Sequence, residues 1–140
     1  MLKMELSKIL LLINMSMKPI EMNVLTLAYI GDSIYEIYIR KYLVNKGIVK
    51  VHDLQQNAVK FVSARSQSKF LNDMIEKDFF SEEEISLIKR ARNNKGKANP
   101  KNTDILTYKH ATALESLIGF LYLSNNQSRI DEIMSFIIGE

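Results

Sequence analysis

Apolar residues recur with a helical period along most of this chain, and the interruptions mark where one helix gives way to the next. Leu6, Ile9, Leu10 and Ile13 stand at i, i+3, i+4 and i+7, the spacing of an amphipathic first helix. Lys18-Pro19 breaks that pattern. Asn23 is a good N-cap for the next helix, expected from about Val24 to Leu43 and ended before Gly47. Its apolar residues, among them Val24, Leu25, Leu27, Ile30, Ile34 and Ile37, go nearly all round, which predicts a central helix packed on several sides.

From Val51 to Lys77 the pattern suits a short helix followed by a longer one, with a boundary near Phe61–Ser63. Phe61, Ala64, Phe70, Leu71 and Met74 are expected to face inward. Ser81 with Glu84 three residues on is a capping box, and Glu82 and Glu83 favour the same N-terminal dipole end. That helix carries its basic residues at its C-terminal end and runs into the one obvious loop, Asn93 to Asn102. Thr103 or Asp104 then caps a second strongly apolar helix, Ile105 to Leu123, and an amphipathic helix from Ile130 to Ile138 closes the chain. The expectation is an all-α fold of about six to seven helices.

Composition narrows this little. The 140 residues suit one domain, and 46% hydrophobic with 25% charged residues is ordinary for a globular protein. A net charge of +3 leans weakly towards an anionic partner and does not by itself identify one. The absence of cysteine excludes disulfides and thiolate metal sites and suits a reducing interior. The N-terminal run Ile9–Ile13 is shorter than a signal-peptide core, and no run approaches the ~20 apolar residues of a membrane span. A soluble, cytoplasmic protein is expected.

Two acids stand out against the apolar pattern. Asp32 follows Gly31 in the middle of the helix begun at Val24, and Glu115 is the only acid of the helix from Ile105 to Leu123. An ionised carboxylate in apolar surroundings costs several kcal/mol unless a cation compensates it. Gly119 lies one turn after Glu115 on the same face, and a glycine within a helix costs up to ~1 kcal/mol against alanine. The economical reason for both glycines is a close crossing of the two helices near Gly31 and Gly119, bringing Asp32 and Glu115 together. Two such carboxylates suit Mg²⁺, which uses one or two carboxylates, keeps several waters and often bridges to phosphate. The alternative is that each acid is a helix-surface residue paired with a neighbour such as Lys109 or His110.

Glu36 lies one turn after Asp32, with Arg40 a further turn on; an i,i+4 ion pair is the simpler reading, a supporting role behind Asp32 the other. His52 is remote, His110 is not clearly on the face of Glu115, and without cysteine a zinc site is disfavoured. No nucleophilic triad or glycine-rich phosphate loop is present. Around the loop stand Lys89, Arg90, Arg92, Lys95, Lys97 and Lys101, with no acid before Asp104. Such a loop is ordinarily a solvated connection. This one leads directly into the helix of Glu115, so Arg92, Lys95, Lys97 and Lys101 are candidate phosphate contacts on a duplex. The six tyrosines and six phenylalanines fall mostly on core-patterned positions, which leaves no stacking platform for single strands.

These segments carry a resemblance. LAYIGDSIYE, Leu27 to Glu36, resembles the signature of ribonuclease III domains, and ALESLIGFLY, Ala113 to Tyr122, resembles their later acidic segment. FVSARSQSKFL, ARNNKGK and PKNTDILTYKHATALESLIG resemble segments of the Mini-III ribonucleases, the short bacterial members. Classical members keep further acids where this chain has Ala28 and Thr112, so only Asp32 and Glu115 carry over as catalytic metal ligands, and the number of metal ions per site stays open. The resemblance implies a dimeric, all-α endonuclease domain spanning residues 1–140, with 1–20 as an N-terminal helical extension and no separate RNA-binding domain. It also implies Mg²⁺-dependent cleavage of double-stranded RNA, with Mn²⁺ as a substitute, in maturation of the large-subunit (23S) ribosomal RNA precursor. A ribosomal protein is a candidate assistant. The rival expectation is a non-catalytic helical module that binds double-stranded RNA or a protein.

Overall fold

The computed structural model of the chain describes Glu5, Lys8, Ile9 and residues 17–95 and 104–140. The expected first helix through Leu6, Leu10 and Ile13 therefore lies largely outside the described residues, as do Lys97 and Lys101. A 3-10 turn at Pro19–Glu21 precedes six α-helices among the described residues: α1 (Val24–Asn45), α2 (Val51–Val62), α3 (Ala64–Glu76), α4 (Glu82–Arg92), α5 (Ile105–Leu123) and α6 (Gln127–Ile138). No described residue is in a strand, so the all-α expectation holds.

Local chemistry sets most boundaries. The Asn23 carboxamide oxygen accepts from Leu25 N at 2.8 Å to start α1. Gly47, at φ +89°, turns the chain just past its end. Ser63 is the one extended residue between α2 and α3, and its hydroxyl caps α3 by accepting from Ser66 N at 3.2 Å. The capping box of Ser81 and Glu84 is formed in both directions. Asp104 rather than Thr103 caps α5, accepting from Thr107 N at 2.8 Å. The last helix begins three residues earlier than its apolar pattern suggests, because Asn126 caps it at Arg129 N.

The axis of the molecule is α5, which packs against α1, α3, α4 and α6. Every residue from Ala111 to Leu121 is buried except Glu115, which is half-buried. The several-sided packing expected of α1 belongs instead to α5. Helix α1 buries Val24, Leu27, Ala28, Gly31, Tyr35, Ile39 and Leu43 along one side. Its other side leaves Tyr29 81% and Ile37 62% exposed. The reason is position: α5 has neighbours all round, whereas α1 has α5 on its inner face and α2 at its flank. No described helix is long and apolar enough to cross a membrane.

Candidate active site

The site begins with two missing side chains. A Cβ on Gly31 would stand 1.7 Å from the backbone oxygen of Glu115, and one on Gly119 would stand 1.9 Å from that of Leu27. The two backbones are thus in direct contact, as the paired glycines predict. Next to the crossing, the Ser116 hydroxyl lies 2.8 Å from both Val24 O and Thr112 O and shares its proton between them, tying α5 to the start of α1. Asp32 leaves α1 immediately after the contact and Glu115 leaves α5 on the same side of it. Their carboxyl groups come within hydrogen-bonding reach of each other.

The two acids are not equivalent, and here the expectation for Asp32 is corrected. Asp32 is exposed, because it falls on the open side of α1 with Leu25, Tyr29 and Glu36. Glu115 is the one withdrawn from water. Burial first, then the hydrogen bond and charge of Asp32, push its carboxyl up to about 8, with Glu36 adding to the effect and Gln67 opposing it. Glu115 therefore holds its proton more tightly than an ordinary carboxyl, because like charges in a poorly solvated site resist joint ionisation.

The pairing alternatives can be read directly. Among the described residues no ion pair engages Asp32 or Glu115. His110 turns to Ser68 instead, its Nδ1 3.4 Å from the hydroxyl, and burial followed by the charge of Arg92 holds its pKa below the ordinary value. Glu36 makes the i,i+4 pair with Arg40 at 3.0 Å, yet remains near enough to act on Glu115. Of the basic residues, Arg92 is half-buried and Lys95 exposed. Arg90 is occupied: its guanidinium donates to Ile20 O at 2.8 Å and Met22 O at 3.1 Å, pinning the segment before α1 to α4.

Two residues near the acids escaped the sequence reading. Gln67 on α3 is 3% exposed, with its side chain within hydrogen-bonding reach of Glu115. Tyr35 on α1 is fully buried, and its hydroxyl donates to Phe61 O at 2.7 Å. The signal for Gln67 was available: it stands at i+3 from Ala64 and i−4 from Leu71, on the inward face of an amphipathic helix.

The described residues contain no cluster of three or more His, Cys, Asp or Glu able to hold a metal. What the site offers is two carboxylates beside solvent. That oxygen-only pair fits a hard cation that completes its shell with water and phosphate, and it is a poor fit to zinc or a softer metal.

Residues 25–126 match the model of the Ribonuclease III domain. The chain belongs to the ribonuclease III family. Within the family it is similar to the Mini-ribonuclease 3 of Staphylococcus aureus, 42% identical over 117 residues that cover 84% of this chain and 87% of the relative. The Mini-ribonuclease 3 of Clostridium tetani is 43% identical over 119 residues, covering 84% of this chain and 78% of the relative. A crystal structure of a Fusobacterium nucleatum protein superposes with a TM-score of 0.76 at 34% identity, covering 85% of this chain and 93% of that one. The chain is therefore an endoribonuclease of the ribonuclease III type, in its Mini-ribonuclease 3 branch.

Proposed function

We propose that this ribonuclease III family member hydrolyses phosphodiester bonds in double-stranded RNA, with a divalent cation held by Asp32 and Glu115. Mg²⁺ is the expected ion, and Mn²⁺ can stand in for it. The observation that carries the reading is the glycine-to-glycine crossing, which sets two carboxylates side by side with no basic partner among the described residues. When bound, the cation supplies an activated water and neutralises charge on the scissile phosphate.

The remaining roles belong to the chain. Asp32, in water, is the accessible ligand; Glu115, recessed in α5, gives up its proton to become the second. Arg92 and Lys95, with Lys97 and Lys101, supply positive charge for phosphates beside the helix that carries Glu115. Glu36 supports the site from behind, through its charge and its pair with Arg40. A-form duplexes are recognised mainly by shape and by backbone contacts, which suits carboxylates flanked by basic residues. The chain works as one catalytic unit over residues 1–140, with 1–20 as its extension, and as a homodimer through the exposed apolar side of α1. Likeness to the Mini-ribonucleases 3 supports the large-subunit ribosomal RNA precursor as substrate, with a ribosomal protein as an accessory. A binding-only module has no use for two acids held at like charge against a duplex, so the catalytic reading is preferred.

Asp32→Asn and Glu115→Gln replace the carboxyl groups with amides of the same shape. Each is expected to leave the circular dichroism spectrum intact and to abolish Mg²⁺-dependent cleavage of a duplex RNA. Substantial cleavage by either variant would overturn the ligand assignment. Replacing Lys95, Lys97 and Lys101 with alanine is expected to weaken duplex binding and reduce the log–log salt slope by roughly 1 for each phosphate no longer neutralised. An unchanged slope, measured by fluorescence anisotropy, would make the loop a linker only.

A further inference from the structure

We propose that Ser116 is a positioning residue: its hydroxyl fixes α5 against α1 and so sets the spacing of Asp32 and Glu115 as ligands of a divalent cation. The inference rests on the metal reading above. It starts from the kinds of contact that hold the two helices together. At Gly31 and Gly119 backbone meets backbone, too closely for a Cβ to fit. Packing of that kind fixes how near the helices come, and it pairs no donor with an acceptor. Among the described residues, the side-chain hydrogen bond that joins the two helices is donated by Ser116 Oγ to Val24 O, at 2.8 Å.

The place of this bond gives it leverage. The glycine contacts fall at Leu27 and Gly31 on α1, one turn apart, and together form a pivot. Val24 is the first residue of α1, one turn before Leu27 and two before Gly31, so a bond there stops rotation about that pivot. The hydroxyl itself is held. Ser116 is 0% exposed, and its oxygen is also 2.8 Å from Thr112 O, one turn back in α5. Both ends of the bond bear on the site: Ser116 follows Glu115 directly, and Asp32 rides on the helix that Val24 begins.

The bond is also separable from the fold. Within a helix each carbonyl accepts from the N–H four residues on, so Val24 O and Thr112 O keep backbone partners when the hydroxyl is gone. Alanine is moreover a better helix former than serine. Ser116→Ala therefore strands no buried polar group, and what it removes is the link between the helices. Ligands must be held to within about 0.5 Å for a site to keep its affinity. Cation binding is thus the property most sensitive to the loss.

The test is Mn²⁺ binding to the full chain without RNA, followed by electron paramagnetic resonance of the free ion and set beside thermal melts. Wild type is compared with Ser116→Ala, Ser116→Cys, Ile133→Val and Asp32→Asn. Ser116→Ala is expected to melt within about 5 °C of wild type and to raise the Kd for Mn²⁺ about tenfold. Ser116→Cys, a weaker donor of similar shape, is expected to fall between the two. Ile133→Val trims the core of α6, at 0% exposure, and is expected to lower the melting temperature with the Kd unchanged. If both Ser116 variants bind Mn²⁺ as tightly as wild type while Asp32→Asn loses binding, the role of Ser116 is refuted and the metal reading stands. A Kd that rises as much in Ile133→Val as in Ser116→Ala refutes it too, since lost stability would then explain both. If Asp32→Asn binds like wild type, the metal reading fails and the inference with it.

Discussion

Glu84 and Glu115 are both drawn out of water, and their proton affinities move in opposite directions. For Glu84, 5% exposed, burial raises the pKa, but the hydrogen bonds from Arg129 and Ser81 outweigh it and the net shift is below 4.5. Arg129 meets both of its oxygens at 2.9 Å, lies over the Phe79 ring at 4.6 Å and donates to Phe79 O at 2.7 Å. Glu115 faces another acid instead, so the same burial leaves its carboxyl high. A carboxylate whose folded pKa is depressed contributes stability that is present above its unfolded pKa and lost as pH falls through the folded value. Wild type is therefore expected to lose stability progressively as pH falls below about 5. Glu84→Gln is expected to start about 2 kcal/mol less stable at pH 7, because the hydrogen bonds from Arg129 lose their charged acceptor. The variant should then fall less steeply with acid, so the two curves converge. Urea melts from pH 7 to pH 3 would show this, and parallel curves would remove Glu84 as the source.

At the scale of elements, the molecule turns on the α1–α5 crossing, and its glycines are not interchangeable with others in the chain. Gly31→Ala drives a methyl to within 1.7 Å of a helix backbone oxygen, which has no rotamer to escape into. The expected cost exceeds the usual overpacking range of about 1–3 kcal/mol, and α1 and α5 must separate to relieve it. Gly47→Ala meets nothing within 4 Å and bears only the strain of a positive φ, about 1 kcal/mol. Denaturant melts of the two variants should differ accordingly, with cleavage lost in Gly31→Ala and kept in Gly47→Ala. Equal costs would mean that the crossing can relax.

This crossing was legible in the sequence because it was written twice, as a glycine beside or one turn from an acid on each of two apolar helices. The caps at Asn23, Ser81 and Asp104 were legible for a different reason: each acts on residues two or three positions away. The exposure of Asp32 was not, since which side of α1 meets α5 depends on a helix eighty residues on. Nor was the diversion of Arg90 to Ile20 and Met22. Such long-range hydrogen bonds leave no periodic trace, and a buried glutamine is noticed only once the inward face of its helix is known.

At the scale of the whole molecule, the proposed homodimer is what would arrange the sites along a duplex. Leu25, Tyr29, Ile37 and Val44 are 41%, 81%, 62% and 56% exposed, and Leu25 and Tyr29 stand on the same side of the helix as Asp32. Val51 and Val59 of α2, 66% and 57% exposed, line a groove beside it that also includes Leu54 and Ala58. Exposed apolar side chains in this number on a small domain are candidates for an interface. In the proposed homodimer, burying it about a twofold axis sets two Asp32–Glu115 sites on one face, each able to cut one strand of the same duplex. Tyr29 is the test residue, because a large aromatic left in water contributes little to its own fold and much to an interface. Tyr29→Asp is expected to keep the helical circular dichroism spectrum and the melting behaviour of an isolated protomer. In sedimentation equilibrium it should shift the 16.2 kDa chain from dimer to monomer, with dimer affinity lower by about thirtyfold or more. Cleavage should then change in kind: paired cuts across both strands give way to single nicks. A wild-type chain that sediments as a monomer would remove the interface, and a monomeric variant that still makes paired cuts would separate dimerisation from the reaction.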